Sequence, residues 1–160
     1  MTRRSKPAAP LRAVIDPSWI LRALLISEGE ALGLRRAWQQ HLLSPLVSPE
    51  LAATLMRALA YPKLGLSTAQ QQELLADFLP YAEVVKPVRG TRIAGLADDK
   101  QSLIELAIQG HASLLLCDDK HLSEWSANSR GQVARQLCTV RAISAWFQVL
   151  PPSQSDTLLC

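Results

Sequence analysis

The chain has 160 residues, of which 48% are hydrophobic and 19% are charged, a balance typical of one globular domain rather than of a disordered or fibrous protein. No apolar run approaches the roughly 18 to 20 residues that cross a bilayer, so the sequence predicts no membrane insertion. The formal net charge is +3, and Arg3, Arg4 and Lys6 account for all of it. The rest of the chain has no net charge, which excludes a strongly basic domain of the kind found in many nucleic-acid-binding modules.

The predicted elements alternate between short apolar runs and longer helical ones. Asp16-Pro17 and Ser48-Pro49 each follow an apolar run and predict a helix start, with a polar N-cap and proline at the first helical position. The predicted strands are 12–15, 45–48, 82–85, 114–117 and 137–140. The predicted helices begin at 16, 30, 48, 68, 98 or 99, and 142. The last five of them end near 42, 61, 79, 110 and 147.

This alternation predicts an α/β fold in which a parallel sheet carries helices on both faces. We expect one domain at residues 11–150, a flexible basic tail at 1–10 and a second flexible tail at 151–160. Sites in such sheets form where the strands end at their carboxyl edge, so residues directly after each strand are the ones to consider.

Acidic residues occupy several of these positions. Asp16 follows the first strand, Asp118 and Asp119 follow the strand at 114–117, and Asp98 and Asp99 open the helix between them. Taken singly, each is a plausible helix cap, first-turn charge or turn residue. Taken together, carboxylates at one sheet edge favour a hard cation such as Mg²⁺ or Mn²⁺, which can activate water and clamp a phosphodiester.

The cysteines give no competing metal site. Cys117, Cys138 and Cys160 form neither a CxxC pair nor a Cys/His cluster at zinc spacing. Reduced thiols in a cytoplasmic protein are the expectation.

Four stretches of the sequence resemble PIN-domain proteins, specifically the branch of toxin components from bacterial toxin–antitoxin systems. They are Val-Ile-Asp-Pro-Ser at 14–18, the SPxL…P-K-L stretch at 48–64, Ala-Asp-Asp-Lys with its helix at 97–112, and the apolar strand with Asp-Asp-Lys at 114–122. The resemblance implies a three-layer sandwich around a parallel sheet of about five strands. It also implies Mg²⁺- or Mn²⁺-dependent cleavage of single-stranded RNA, inhibition by a cognate antitoxin protein, and a homodimer.

Carried over position by position, the resemblance implies a catalytic and metal-binding set of Asp16, Asp99 and Asp119, with Ser18 orienting water. Asp119 matches the family's Thr-Gly-Asp aspartate. The third acid falls on Lys100, or on Asp99 with a slip of one residue.

The family's second acid, a glutamate, falls on Thr54 in this chain. Glu50 lies one turn earlier on the same helical face and could substitute only if the helix shifted. The acidic set is therefore incomplete.

Two functions follow from the sequence. The first is a metal-dependent endoribonuclease of toxin type. The second is a catalytically degenerate PIN-like domain that binds RNA or protein, which Thr54 and Lys100 motivate.

Overall fold

The computed structural model describes residues 9–129 and 131–159, so the predicted basic tail lies almost wholly outside the described residues. The strands are β1 (Leu11–Ile15), β2 (Leu43–Val47), β3 (Glu83–Val84), β4 (Leu114–Leu116) and β5 (Thr139–Arg141). The α-helices are α1 (Pro17–Leu25), α2 (Gly29–Gln39), α3 (Pro49–Leu59), α4 (Thr68–Ala76), α5 (Asp98–Gln109), α6 (Lys120–Asn128), α7 (Gln132–Gln136), α8 (Ile143–Val149) and α9 (Pro152–Leu159). Two 3₁₀ turns, Pro62–Leu64 and Leu79–Tyr81, complete the described elements.

The five strands form one parallel sheet in the order β3-β2-β1-β4-β5. Consecutive residues of the two central strands are all buried, both in β1 (Ala13 to Ile15) and in β4. Because successive side chains in a strand point to opposite faces, helices must cover both sides of the sheet. This confirms the predicted α/β sandwich.

The strand order places a topological switch between β1 and β4. From β1 the chain proceeds through β2 to β3 on one side, and it returns through α5 to β4 on the other. The amide of Asp16 donates to the carbonyl of Leu116 at 2.9 Å, so the carboxyl ends of the two strands are joined directly. This switch point is where ligands bind in sheets of this kind.

Several predicted boundaries differ from the structure for local reasons. Helix α2 ends three residues early because His41 takes a left-handed conformation (φ 60°) and the amide of Leu42 turns back to Ala37. The last strand begins at Thr139 rather than at 137, since the amide of Leu137 still closes α7 on Val133.

The carboxyl-terminal segment differs most from expectation. Where the sequence predicts a frayed end, α9 forms and packs against α2. Gly33 on α2 permits the contact, because a Cβ there would lie 2.9 Å from side-chain atoms of both Phe147 and Leu159. Leu158 is fully buried in the core.

None of the helices in the described part of the chain combines the length and apolar character that a membrane span requires.

We expect Leu158→Ala to lower the free energy of unfolding by about 2–4 kcal/mol, because it removes a fully buried side chain. The matched control is Asp156→Ala, at an exposed position on the same helix, which should cost less than about 0.5 kcal/mol. Urea unfolding of both variants measures the difference. Equal effects would contradict the docking of α9.

Candidate functional site

The three predicted carboxylates, those of Asp16, Asp99 and Asp119, all lie near the ammonium group of Lys100. Lys100 Nζ lies 3.2 Å from Asp16 Oδ2, 3.7 Å from Asp99 Oδ2 and 3.8 Å from Asp119 Oδ2. The three acids come from the end of β1, the first turn of α5 and the loop after β4. The sequence expectation that they meet at this edge agrees with the geometry, while their assigned roles stay a prediction.

Asp16 is the least exposed of the three and has all its acceptor positions engaged. Its Oδ1 accepts from the amide and the hydroxyl of Ser18, both at 3.1 Å, which caps α1. Its Oδ2 accepts from Cys117 Sγ at 3.1 Å and from Lys100 Nζ. Burial alone would raise the pKa of Asp16, but these hydrogen bonds and the lysine charge outweigh it and leave the pKa lowered.

Lys100 is partly buried in the first turn of α5, with 17% of its side chain exposed. Burial would lower the pKa of Lys100, but the charges of Asp16 and Asp99 overcome that effect, and the pKa is raised. Both members of the Asp16–Lys100 pair are therefore charged at neutral pH.

The thiol of Cys117 stays neutral beside this pair. Burial, with the neighbouring Asp16 carboxylate, raises the pKa of Cys117 to about 12. The sequence predicts this cysteine only as a core thiol. Its role as a hydrogen-bond donor to Asp16 has no sequence signal beyond its place directly after β4.

Asp99 and Asp119 are the more solvated acids, with 73% and 33% of their side chains exposed. Asp119 also caps α6, since its Oδ1 accepts from the amides of His121 at 2.8 Å and Leu122 at 3.3 Å. Asp119 is therefore a helix cap, and its role in a site stays a prediction.

Two neighbouring aspartates face elsewhere. Asp98 pairs with Arg89 and Arg92 on the loop before α5. Asp118 accepts from Trp19 Nε1 at 2.8 Å and from the amide of Ile143 at 2.9 Å, which ties α1 and α8 to this edge. Asp118 has a structural role that the sequence alone does not reveal.

A cleft of about 310 Å³ opens beside the cluster. Apolar side chains of Leu21, Leu51, Leu103 and Leu106 form much of its wall. Its polar lining residues are Asp16, Ser18, Ser48, Glu50, Thr54, Asp99, Lys100 and Ser102.

Thr54 brings no carboxylate to this cleft. Its hydroxyl donates to the backbone oxygen of Glu50 at 3.0 Å and accepts from Arg57. The Glu50 carboxylate lines the cleft and accepts weakly from Ser102 at 3.5 Å.

The donor set does not fit a divalent ion as it stands. Within residues 9–129 and 131–159, no group of three or more His, Cys, Asp or Glu is arranged to hold a metal. The reason lies in Lys100, because its ammonium occupies the space among the carboxylates and would repel a second cation there. His121 does not complete a set either, since its Nε2 lies 2.6 Å from the Gly95 carbonyl.

We expect the stability of the wild type to decrease as the pH falls from about 5 to 3, in part through Asp16. The folded pKa of Asp16 lies below its unfolded value, so its ionised form stabilises the fold above about pH 3.9, and protonation removes that contribution as the pH falls through the folded pKa. Asp16→Asn should therefore show a shallower dependence of the free energy of unfolding on pH. Urea unfolding across this range measures both slopes, and the exposed Asp156→Asn is the control that should keep the wild-type slope. Identical slopes for Asp16→Asn and the wild type would contradict the assignment.

The chain is similar in sequence to a known protein family. The family model described as PIN domain matches residues 12–121, about two thirds of the chain. The match spans β1 to β4 and includes Asp16, Lys100 and Asp119. No curated protein and no solved structure matches the sequence. The chain belongs to the PIN domain family.

Proposed function

We propose that this PIN domain binds single-stranded RNA at the cleft beside Asp16 and does so without a divalent ion. PIN domains have a nuclease-type fold, and the family is generally dependent on divalent metal. The observation that carries the proposal is the position of Lys100, whose ammonium pairs with Asp16 at 3.2 Å where a metal ion would be needed. This favours the degenerate, binding form of the domain.

The ion pair at the centre of the site limits its repulsion of a bound polyanion. The two most enclosed charges, Asp16 and Lys100, neutralise each other. Asp99 is largely exposed and its charge is screened by water and salt. The centre therefore repels a phosphate less than three uncompensated carboxylates would.

Two exposed arginines on the loop before α5 supply the attraction. Arg89 and Arg92 are largely exposed, and both contact Asp98, with N–O distances of 3.6 and 3.9 Å. Exposed pairs of this kind contribute about 0–1 kcal/mol, so a phosphate can replace Asp98 as their partner at little cost. Arg89 borders a shallow depression that shares Ser48, Glu50 and Ser102 with the main cleft.

The shape of the cleft suits an unpaired nucleotide. Its leucine-rich wall offers apolar surface to a base, while Arg89 in the adjoining depression would hold the next part of the backbone. Sequence-specific recognition of RNA commonly relies on such splayed, unstacked bases.

A second candidate is the toxin-type endoribonuclease, with an antitoxin protein that covers the cleft. It is favoured by the approach of Asp16, Asp99 and Asp119 to within 3.8 Å of a single point. It requires Lys100 to leave that point before Mg²⁺ or Mn²⁺ enters. A homodimer and a cytoplasmic location remain predictions from the sequence under either function.

We expect a fluorescently labelled single-stranded RNA pool to bind the wild type equally well in EDTA and in Mn²⁺, with no cleavage in either. Fluorescence anisotropy measures binding and gel electrophoresis measures cleavage. Loss of binding in EDTA, or cleavage that appears only with Mn²⁺ and vanishes in Asp16→Asn, would support the nuclease instead. No RNA binding in any condition would direct attention to a protein partner.

The double variant Arg89→Ala/Arg92→Ala should bind this RNA more weakly and with a smaller salt dependence. Each lost phosphate contact should reduce the slope of log affinity against log salt by roughly 0.7. Arg135→Ala is the control, because Arg135 is an exposed arginine on α7 next to the opposite edge strand, β5. An unchanged slope in the double variant would place the RNA elsewhere on the surface.

A further inference from the structure

The ammonium of Lys100 holds together three separate parts of the chain. We propose that Lys100 is a tethered cation that performs the structural task of a divalent ion at this edge, and that a carboxylate in its place would open a divalent-cation site. The inference concerns Lys100 and its acids alone and does not depend on whether RNA binds.

The position of the charge is the first argument. Lys100 Nζ contacts the Oδ2 atoms of Asp16 and Asp119, and these residues follow the two adjacent central strands. Its third contact, to Asp99 Oδ2 at 3.7 Å, comes from its own helix. One cation thus neutralises carboxylates at the ends of β1 and β4 and links both to α5.

The enclosure of the charge is the second argument. The side chains of Asp16 and Lys100 are only 12% and 17% exposed, so neither is a freely solvated surface charge. Asp16 without a cation would be a partly buried carboxylate facing two others, an arrangement that is costly in free energy. Some cation is needed at this point, and the chain supplies it.

The chemistry of lysine is the third argument. An ammonium is a compact charge on a flexible stem, so it can reach the point where three carboxylate oxygens meet. Because it is covalently attached, it is present at all times and no chelator removes it. It carries a single charge, however, and lacks the empty coordination positions through which a metal ion activates water.

The residue type at position 100 then decides which cation the edge accepts. With lysine at this position, the ammonium group repels a divalent ion. With aspartate, up to four carboxylates would surround the same space, and oxygen ligands of this kind are those that Mg²⁺ and Mn²⁺ prefer.

The test uses the full chain with Lys100→Asp and Lys100→Met. Calorimetric titration with Mn²⁺ should give no saturable binding to the wild type and a dissociation constant of about 10 µM to 1 mM for Lys100→Asp. The second-site variant Lys100→Asp/Asp16→Asn should lose most of that binding. Lys63→Asp makes the same charge change at an exposed position in the 3₁₀ turn after α3; it is the control and should behave as the wild type.

Thermal unfolding provides a readout that needs no metal affinity in advance. The melting temperature of the wild type should be the same in EDTA and in Mn²⁺. That of Lys100→Met should fall by roughly 5 °C or more in EDTA, because the carboxylates lose their cation, and Mn²⁺ should restore part of the loss.

Two results would overturn the inference. One is Mn²⁺ binding to the wild type with an affinity equal to that of Lys100→Asp, since the ammonium would then exclude nothing. The other is a folded Lys100→Asp and a folded Lys100→Met that neither bind Mn²⁺ nor gain stability from it. If Lys100→Asp does not fold in EDTA, recovery of folding on addition of Mn²⁺ supports the inference, and failure to recover together with an unresponsive Lys100→Met contradicts it.

Discussion

The carboxylate of Asp16 is the junction on which the functional edge depends. It caps α1 through Ser18, accepts the thiol of Cys117 from the end of β4, and pairs with Lys100 from α5. A single side chain thus fixes three elements relative to one another at the switch point of the sheet. A carboxylate can do this only while it stays ionised, because a protonated acid attracts Lys100 far less and accepts fewer hydrogen bonds. The lowered pKa of Asp16 keeps the carboxylate ionised at neutral pH, as these contacts require.

The central part of the fold could be predicted from the sequence because its signal is local. The runs at Ala13–Ile15 and Leu114–Leu116 are apolar without alternation, as strands buried on both faces must be. The carboxyl-terminal segment is harder to predict because its structure depends on tertiary contacts. Helix α9 is polar along most of its length and is held by Leu158 and by the space above Gly33, neither of which a periodic pattern reveals.

The same division applies to the candidate site. That Asp16 and Asp119 meet follows from the rule that parallel strands end at one edge, and the sequence is sufficient for it. Each step along a helix turns the side chain by about 100° around the helix axis. The rotation of α5 about its axis therefore decides whether Asp98, Asp99 or Lys100 faces the centre of the cluster. Sequence alignment cannot settle a shift of that size. The structure turns Lys100 inward and Asp98 towards Arg89, so the residue that breaks the acidic pattern is the one at its centre.

Under the proposed role of Lys100, the incomplete acidic set that the family resemblance implies has a physical explanation. A cluster of carboxylates with weakened metal affinity would be left uncompensated whenever the ion dissociated, and the repulsion would act on the ends of both central strands. A lysine among these carboxylates removes the repulsion at all times, so the stability of this edge of the sheet would not depend on a bound metal ion. The same change removes the means of activating water, so stability of the edge and metal-assisted hydrolysis become alternatives at position 100. What remains is a neutralised inner pair, an apolar cleft and, in the depression beside it, Arg89, and these are the features on which the proposed binding rests.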